Sequence, residues 1–190
     1  MSNFKYYESD YEEAFLEMLT ENNWDYKCGY DLHREKDDII LIDEFSRYLN
    51  DNYGYFTESE INELISYLTS SNDQSLYRAM KKTYTNLYKG YNLKREDGTN
   101  LFINFIDQDY DKNYYTAVNQ YEYEEYHNRR PDIVLFINGI PVSIIELKNL
   151  ANEKTTIKDA YDQTHIRYAQ DIPSLMKFDF INVINGNCYY

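Results

Sequence analysis

Arg129-Arg130-Pro131-Asp132-Ile133-Val134-Leu135-Phe136-Ile137-Asn138-Gly139-Ile140-Pro141-Val142-Ser143-Ile144-Ile145-Glu146-Leu147-Lys148-Asn149 is the stretch on which the reading of this 190-residue chain turns. Two apolar runs rich in β-branched residues, Ile133 to Ile137 and Val142 to Ile145, flank Asn138-Gly139, the strongest short-range signal for a β-hairpin. The runs are apolar without alternation, so both faces of these strands are expected to be covered, as in the centre of a sheet flanked by helices. Charge has no structural use in such a place. Yet Asp132 opens the first strand, and Glu146 and Lys148 close the second on a shared face.

Ionisable groups at the ends of buried strands carry a desolvation cost, and two neighbouring carboxylates raise each other's pKa unless a cation lies between them. A divalent metal answers both problems. Mg2+ takes oxygen ligands, usually one or two carboxylates with waters and substrate phosphate, so Asp132 and Glu146 are the candidate metal ligands, with the backbone carbonyl of Leu147 as a further oxygen. A metal held there would bind a scissile phosphate and offset charge in the transition state, while Lys148 orients the attacking water or steadies the developing charge. The chemistry implied is phosphodiester hydrolysis. The bland alternative is a surface hairpin ending in a Glu146–Lys148 ion pair.

The register sets a condition. With a strict two-residue loop Ile137 pairs with Ile140, and Glu146 falls opposite Pro131 rather than Asp132. Because a one-residue slip reverses the face, the two acids converge only through an odd loop length, a bulge, or an Asp132 lying just outside the ladder.

Pro131-Asp132, thirteen residues, then Glu146-Leu147-Lys148 matches the PD-(D/E)xK nuclease motif. The longer string closely resembles the N-terminal nuclease domain of the restriction (R) subunit of type I restriction-modification enzymes. The resemblance implies a restriction-endonuclease-like α/β fold, a mixed central β-sheet flanked by α-helices, with residues 1–190 as a single nuclease domain. It implies a Mg2+-dependent endonuclease acting on double-stranded DNA, with Asp132, Glu146 and Lys148 catalytic. An early helix in that family adds a Glu, and residues 7–15, YESDYEEAF, resemble that segment; Glu12, beside the apolar Phe15 and Leu16, takes the role, with Glu8 and Glu13 as competitors. Ala117-Val118-Asn119-Gln120 resembles the segment ending in Asn-Gln that precedes the family's string. Gln163 and Tyr168 fall where the family has a Gln…Tyr pair close to the catalytic centre, and with Arg130 they are the expected DNA contacts. Their spacing is five where the usual form has four, and five residues on a regular helix are about 140° apart. Both can face the site only if the helix ends or distorts between them.

The same resemblance implies partners: a helicase motor in the same full-length chain, and separate modification and specificity subunits that read the DNA sequence. No GxxxxGK[ST] loop occurs in the 190 residues, so ATP is expected only in the full-length subunit and not here. The chain therefore reads as a fragment of a longer subunit or a truncated relative, and weak or no cleavage of linear duplex is expected from it alone. Two rivals stand beside this reading. One is a non-catalytic assembly or regulatory module with a vestigial nuclease site, favoured by the acidic composition and the missing motor but opposed by the intact Asp132, Glu146 and Lys148. The other is a stand-alone repair or junction-cleaving nuclease.

A net charge of -14 is awkward for DNA binding, which rests largely on Lys and Arg. The basic surface is expected elsewhere in a larger protein, with a local contribution from Arg129, Arg130, Lys154, Lys158 and Arg167. The 23 tyrosines are expected at half-buried positions on strands and helix flanks rather than on a base-stacking surface. Cys28 and Cys188 are too few and too far apart for a disulfide framework or a zinc site, and His33, His127 and His165 have no metal-ligand spacing. No apolar run approaches the roughly 18 residues of a membrane span, and MSNFKYYESD lacks a signal-peptide pattern. A soluble cytoplasmic protein is expected, with no membrane partner.

Elsewhere, Ser9 and Glu12 form a capping-box pattern opening a helix to about Asn22, and Trp24 to Tyr30 reads as a short strand. The spacing predicts helices over Ile39 to Leu49, from a second capping box at Thr57 and Glu60 through Leu68, and over Gln74 to Lys89 with Leu76, Met80, Tyr84 and Leu87 on one face. Leu93 to Asp97, Leu101 to Phe105, Tyr115 to Tyr123 and Phe178 to Ile184 read as strands, with a turn at Asp97-Gly98. Thr156 and Asp159 open a helix reaching Tyr168.

Overall fold

The computed structural model describes residues 8–70, 73–147, 157–181 and 183–184. Helix α1 (Glu8–Glu21) already includes Ser9, so the expected Ser9–Glu12 capping box is absent, and Glu12 is left to turn toward the sheet. Strand β1 (Asp25–Cys28) is shorter than expected because Gly29–Asp31 winds into a single 3-10 turn. Helix α2 (Ile42–Tyr53) starts three residues later than its apolar pattern: Leu41 is extended, and its N–H bonds the carbonyl of Gly139 at 2.9 Å.

Helix α3 (Glu58–Thr69) opens on the expected capping box with both halves formed. The Glu60 N–H donates to Thr57 Oγ1 at 3.3 Å, and the Thr57 N–H donates to Glu60 Oε2 at 3.0 Å. Helix α4 (Leu76–Lys89) is rotated from the expected face: it buries Ala79, Thr83 and Leu87, while Tyr84 is 57% exposed. Small side chains at Ala79 and Thr83 let the helix lie close to its neighbours, which the bulk of Met80 and Tyr84 would prevent. Strands β2 (Tyr91–Lys94) and β3 (Asn100–Ile103) form the hairpin about Asp97-Gly98.

Strand β4 (Tyr115–Asn119) stops four residues short of the expected Tyr123, because Gln120 takes a left-handed backbone with φ 52°. A small hairpin follows, β5 (Tyr123–Glu124) with β6 (Asn128–Arg129). The central hairpin is β7 (Ile133–Ile137) with β8 (Ile140–Glu146). Helix α5 (Ile157–Asp162) runs on through a π-helical stretch, Gln163–Tyr168, into the short α6 (Ala169–Asp171) and α7 (Pro173–Met176). Among the described residues of the expected 178–184 run, only Val183–Ile184 (β9) is strand. Phe178 is buried in the core instead, and Asp179 accepts the N–H of Ile144 at 2.8 Å, so the turn after α7 serves the edge of β8 with a side chain.

The five-stranded sheet has the order β1-β4-β7-β8-β9, parallel at both outer pairings and antiparallel in between. This is the mixed α/β sheet expected. Val118, Val134, Phe136 and Ile144 cover one face against Tyr168, Ile172, Leu175 and Met176. Ala117, Ile133, Ile145 and Leu147 cover the other against Leu19, Phe15 and Leu16 of α1. Successive residues of β7 thus bury alternately into two cores, which is why its sequence does not alternate. Each such large apolar side chain contributes about 1.5–3 kcal/mol. Tyrosines are divided rather than uniformly half-buried: Tyr48, Tyr121 and Tyr168 lie in the core, whereas Tyr55, Tyr77, Tyr88 and Tyr110 are exposed.

The hairpin tip is tightly specified. Asn138 and Gly139 have φ 54° and 76°, the pair of left-handed residues that a type I′ turn needs. A Cβ on Gly139 would meet the Leu41 carbonyl oxygen at 2.4 Å. Asn138 is fully buried: its amide donates to Phe105 O and Asn113 Oδ1, both at 2.9 Å, and its Oδ1 accepts the Tyr114 N–H at 2.8 Å.

Candidate active site

The register resolves the condition set by the sequence. Ile137 pairs with Ile140 and Phe136 with Pro141, but Leu135 pairs with Ser143, so Val142 is the extra residue of a β-bulge. Beyond the bulge Ile133 pairs with Ile145, and continuing that register sets Asp132, just outside the ladder, opposite Glu146. Asp132 Oδ2 accepts the Leu147 N–H at 2.7 Å, which fixes the carboxylate across the strand end.

Glu146 is 2% exposed. A carboxylate so buried needs donors, and the helix after β8 brings two. Gln163 Nε2 donates to Glu146 Oε1 at 2.5 Å, the Tyr168 hydroxyl donates to Oε2 at 3.0 Å, and Gln163 Nε2 also donates to the Tyr168 oxygen at 2.9 Å. The spacing of five is accommodated by the π stretch that starts at Gln163 and ends at Tyr168. Hydrogen bonding from i to i+5 widens the turn by one residue and brings positions five apart onto one face. The Tyr168 phenol is pushed well above its ordinary pKa, first by burial and then by the charge of Glu146, with Asp132 adding to it. It therefore stays a protonated donor, and the charges of both acids reach it.

Glu12 approaches from α1. Its Oε1 accepts Asn119 Nδ2 at 2.7 Å and Gln120 Nε2 at 3.4 Å, while the Gln120 N–H bonds the backbone carbonyl of Asp132 at 3.2 Å. Glu12 is thus joined to the hairpin through the Asn119-Gln120 pair. Tyr26 and Tyr30, which the sequence reading passed over, stand at the rim: the Tyr26 hydroxyl donates to Asn119 Oδ1 at 3.1 Å, and Arg130 donates to the Tyr30 hydroxyl. Only their position on and just after β1, which pairs with the segment carrying Asn119, could have flagged them. Arg130 is exposed, whereas Arg129 is held by Asp171, with Nε 2.6 Å from Oδ2. The expected contribution of Arg129 to a basic surface is corrected accordingly: its charge is paired with that of Asp171 at a partly exposed position. Lys158 and Arg167 are exposed; Lys148 and Lys154 lie outside the described residues.

The donor set suits a hard cation. Asp132, Glu146 and the Leu147 carbonyl offer oxygen only, the ligand class that hard divalent cations take. Among the described residues no group of three or more His, Cys, Asp or Glu could hold a metal alone. Two carboxylates with waters and phosphate completing the shell is the Mg2+ habit, so the residues present fit that ion. No described helix is long and apolar enough to cross a membrane.

Residues 5–190 match the family described as the type I restriction enzyme R protein N terminus. Among curated proteins, the chain is 30% identical over 188 residues to one from Methanocaldococcus jannaschii provisionally named the type I restriction enzyme MjaIXP endonuclease subunit, covering 92% of this chain and 18% of that protein. It is 24% identical over 192 residues to the type I restriction enzyme HindI endonuclease subunit of Haemophilus influenzae, covering 94% and 18%. A Staphylococcus aureus type I restriction enzyme endonuclease subunit, SauCOLORF180P, gives 24% over 189 residues, covering 95% and 19%. The chain spans just under a fifth of the length of these relatives. With the family matched from residue 5 to the last residue, this chain belongs to the N-terminal domains of type I restriction enzyme R proteins.

Proposed function

We propose that this chain carries the Mg2+-dependent DNA endonuclease site of a type I restriction enzyme R subunit, hydrolysing phosphodiester bonds in double-stranded DNA. The observation that carries the reading is the bulge at Val142, which turns Glu146 toward Asp132 at the end of a buried hairpin. A bulge that only terminated a strand would have no need to bring two carboxylates together, at a desolvation cost, against a helix that supplies donors to one of them.

Asp132 and Glu146 would hold the ion, with the Leu147 carbonyl beside them. Bound there, Mg2+ supplies Lewis-acid stabilisation of the charge that develops on the scissile phosphate. The Leu147 N–H keeps Asp132 oriented, and Gln163 with Tyr168 keeps Glu146 oriented. Both N–H bonds of Gln163 are engaged inward and Tyr168 is buried, which supports an orienting role for the pair more than direct contact with DNA. Arg130, exposed at the rim, suits a backbone phosphate. Lys148 takes the task of orienting the attacking water or steadying the developing charge. With a net charge of -14, most phosphate-binding surface lies outside this chain. The motor, its ATP, and the modification and specificity subunits belong to the remaining four-fifths of the subunit and its assembly, and DNA as substrate implies the cytoplasm.

Calorimetric titration of Mn2+ into the chain, beside Asp132→Ala and Glu146→Ala, tests the reading. Saturable binding in the parent that is lost in both variants is expected. Equal and weak binding in all three proteins would sink it in favour of a non-catalytic assembly module.

A further inference from the structure

Gln120 is a non-glycine residue with φ 52°, at the point where β4 ends beside the candidate site. Such a backbone is uncommon outside glycine and asparagine, and it persists only where the surroundings hold it. The surroundings do so here from three sides. The Gln120 N–H bonds the Asp132 carbonyl at 3.2 Å, its side-chain amide reaches Glu12 Oε1 at 3.4 Å, and the preceding Asn119 donates to the same oxygen at 2.7 Å. The end of β1 is shaped to admit this turn. A Cβ on Gly29 would fall 2.4 Å from the Gln120 carbonyl oxygen and 2.8 Å from that of Asn119.

A regular extension of β4 would alternate side chains and send that of Gln120 to the face opposite Asn119. The left-handed residue breaks the alternation, and both amides reach one carboxylate. The same residue, through its backbone, is bonded to the residue before β7.

We infer that Gln120 is a positioning residue for the proposed nuclease site: from its left-handed backbone it ties Glu12 of α1 and Asp132 of the hairpin into one frame. The inference rests on the nuclease reading for its consequence, but the tie itself is a property of the metal-free chain. Gln120→Gly keeps the N–H and relieves the backbone while removing the side-chain amide. Gln120→Asn keeps an amide on a residue that tolerates positive φ. Outer partners of metal ligands commonly change metal affinity by about 10–100-fold. Gln120→Gly is therefore expected to melt no lower than the parent yet to bind Mn2+ about tenfold more weakly in calorimetry, with Gln120→Asn recovering part of the loss. A general structural role would instead lower the melting temperature and leave the affinity of the folded protein unchanged.

The second readout needs no metal. In 15N-resolved NMR spectra the side-chain amide resonances of Gln120 are expected to move when Glu12 is changed to Ala. If the parent binds no Mn2+, the nuclease reading fails and these resonances alone decide the tie. Parent-like Mn2+ affinity in Gln120→Gly, or Gln120 amide resonances indifferent to Glu12→Ala, overturns the inference.

Discussion

Gln163 and Tyr168, five residues apart, both bond the carboxylate of Glu146, at 2.5 and 3.0 Å, and bond each other at 2.9 Å. On an α-helix they would diverge by about 140°; the π turn between them brings them together. Removing one solvent-facing residue from that turn should let it relax to an α-helix with a spacing of four, still on one face. Deletion of Ile166, which is 51% exposed, is therefore expected to leave Mn2+ affinity within about threefold of the parent. An Ala inserted after Ile166 makes the spacing six and should weaken binding by about tenfold or more. Calorimetry on both variants checks this, and a deletion as damaging as the insertion would show that the π geometry itself is needed.

Tyr168→Phe removes a donor from a carboxylate that has little access to water. Leaving such a group short of a partner costs about 1–3 kcal/mol, which at about 2–4 °C per kcal/mol for a chain of this size lowers the melting temperature by about 2–12 °C. The pH dependence has a definite sign. The phenol is raised above 10.0 on folding, by burial and then by Glu146. Its contribution is present below the unfolded value and lost as pH rises above it, because the unfolded chain then releases the proton first. The fall in melting temperature above pH 10 should be shallower in Tyr168→Phe than in the parent.

Asn138 closes the other end of the hairpin from inside the protein. Replacing it with Ala removes the acceptor of the Tyr114 N–H and the donor to Phe105 O and Asn113 Oδ1, and puts a Cβ residue without a local hydrogen-bonding side chain at φ 54°. The expected cost is about 2–4 kcal/mol, or roughly 10 °C in melting temperature by thermal unfolding. Asn138→Gly, which suits the backbone but loses the same bonds, should recover only the smaller, conformational part.

What the sequence disclosed was governed by local rules. Asn138-Gly139 announces its turn because few other residues accept two successive positive φ angles, and the Thr57–Glu60 box forms because its partners are three residues apart. Ser9 and Glu12 carry the same signature and fail, since Glu12 bonds a residue 107 positions away. Tyr84 misleads for a related reason: hydropathy favours an aromatic inside, but close packing of α4 selects Ala79 and Thr83. Arg129 looks like surface charge until Asp171, 42 residues on, accounts for it. The convergence of Asp132 and Glu146 could be posed as a condition from the sequence, but the position of the bulge that meets it could not, because the Val142 carbonyl is held by the N–H of Phe180 at 3.2 Å.

That bulge supports a test of register that leaves every candidate ligand in place. With Val142 present, Pro141 faces Phe136 and Ser143 faces Leu135, so one residue of β8 has no counterpart in β7. Deleting Val142 removes the unpaired residue and leaves Leu135 opposite Ser143, Ile133 opposite Ile145 and Asp132 opposite Glu146. Inserting an Ala after Val142 offers the ladder two choices: a wider bulge, or a one-residue slip that carries Glu146 opposite Pro131 and reverses its face. The slip also drives Ile144 and Ile145 into the wrong cores, at about 1.5–3 kcal/mol for each large side chain displaced. The deletion is expected to fold with a modestly lower melting temperature, having lost the Phe180 contact, and to keep Mn2+ binding within about tenfold of the parent. The slip is expected to abolish binding, whereas a widened bulge, which leaves Asp132 opposite Glu146, is expected to keep it. If the deletion variant folds but binds no Mn2+ while the parent does, the opposition of Asp132 and Glu146 is not what assembles the site, and the local twist that a bulge imposes becomes the property to pursue.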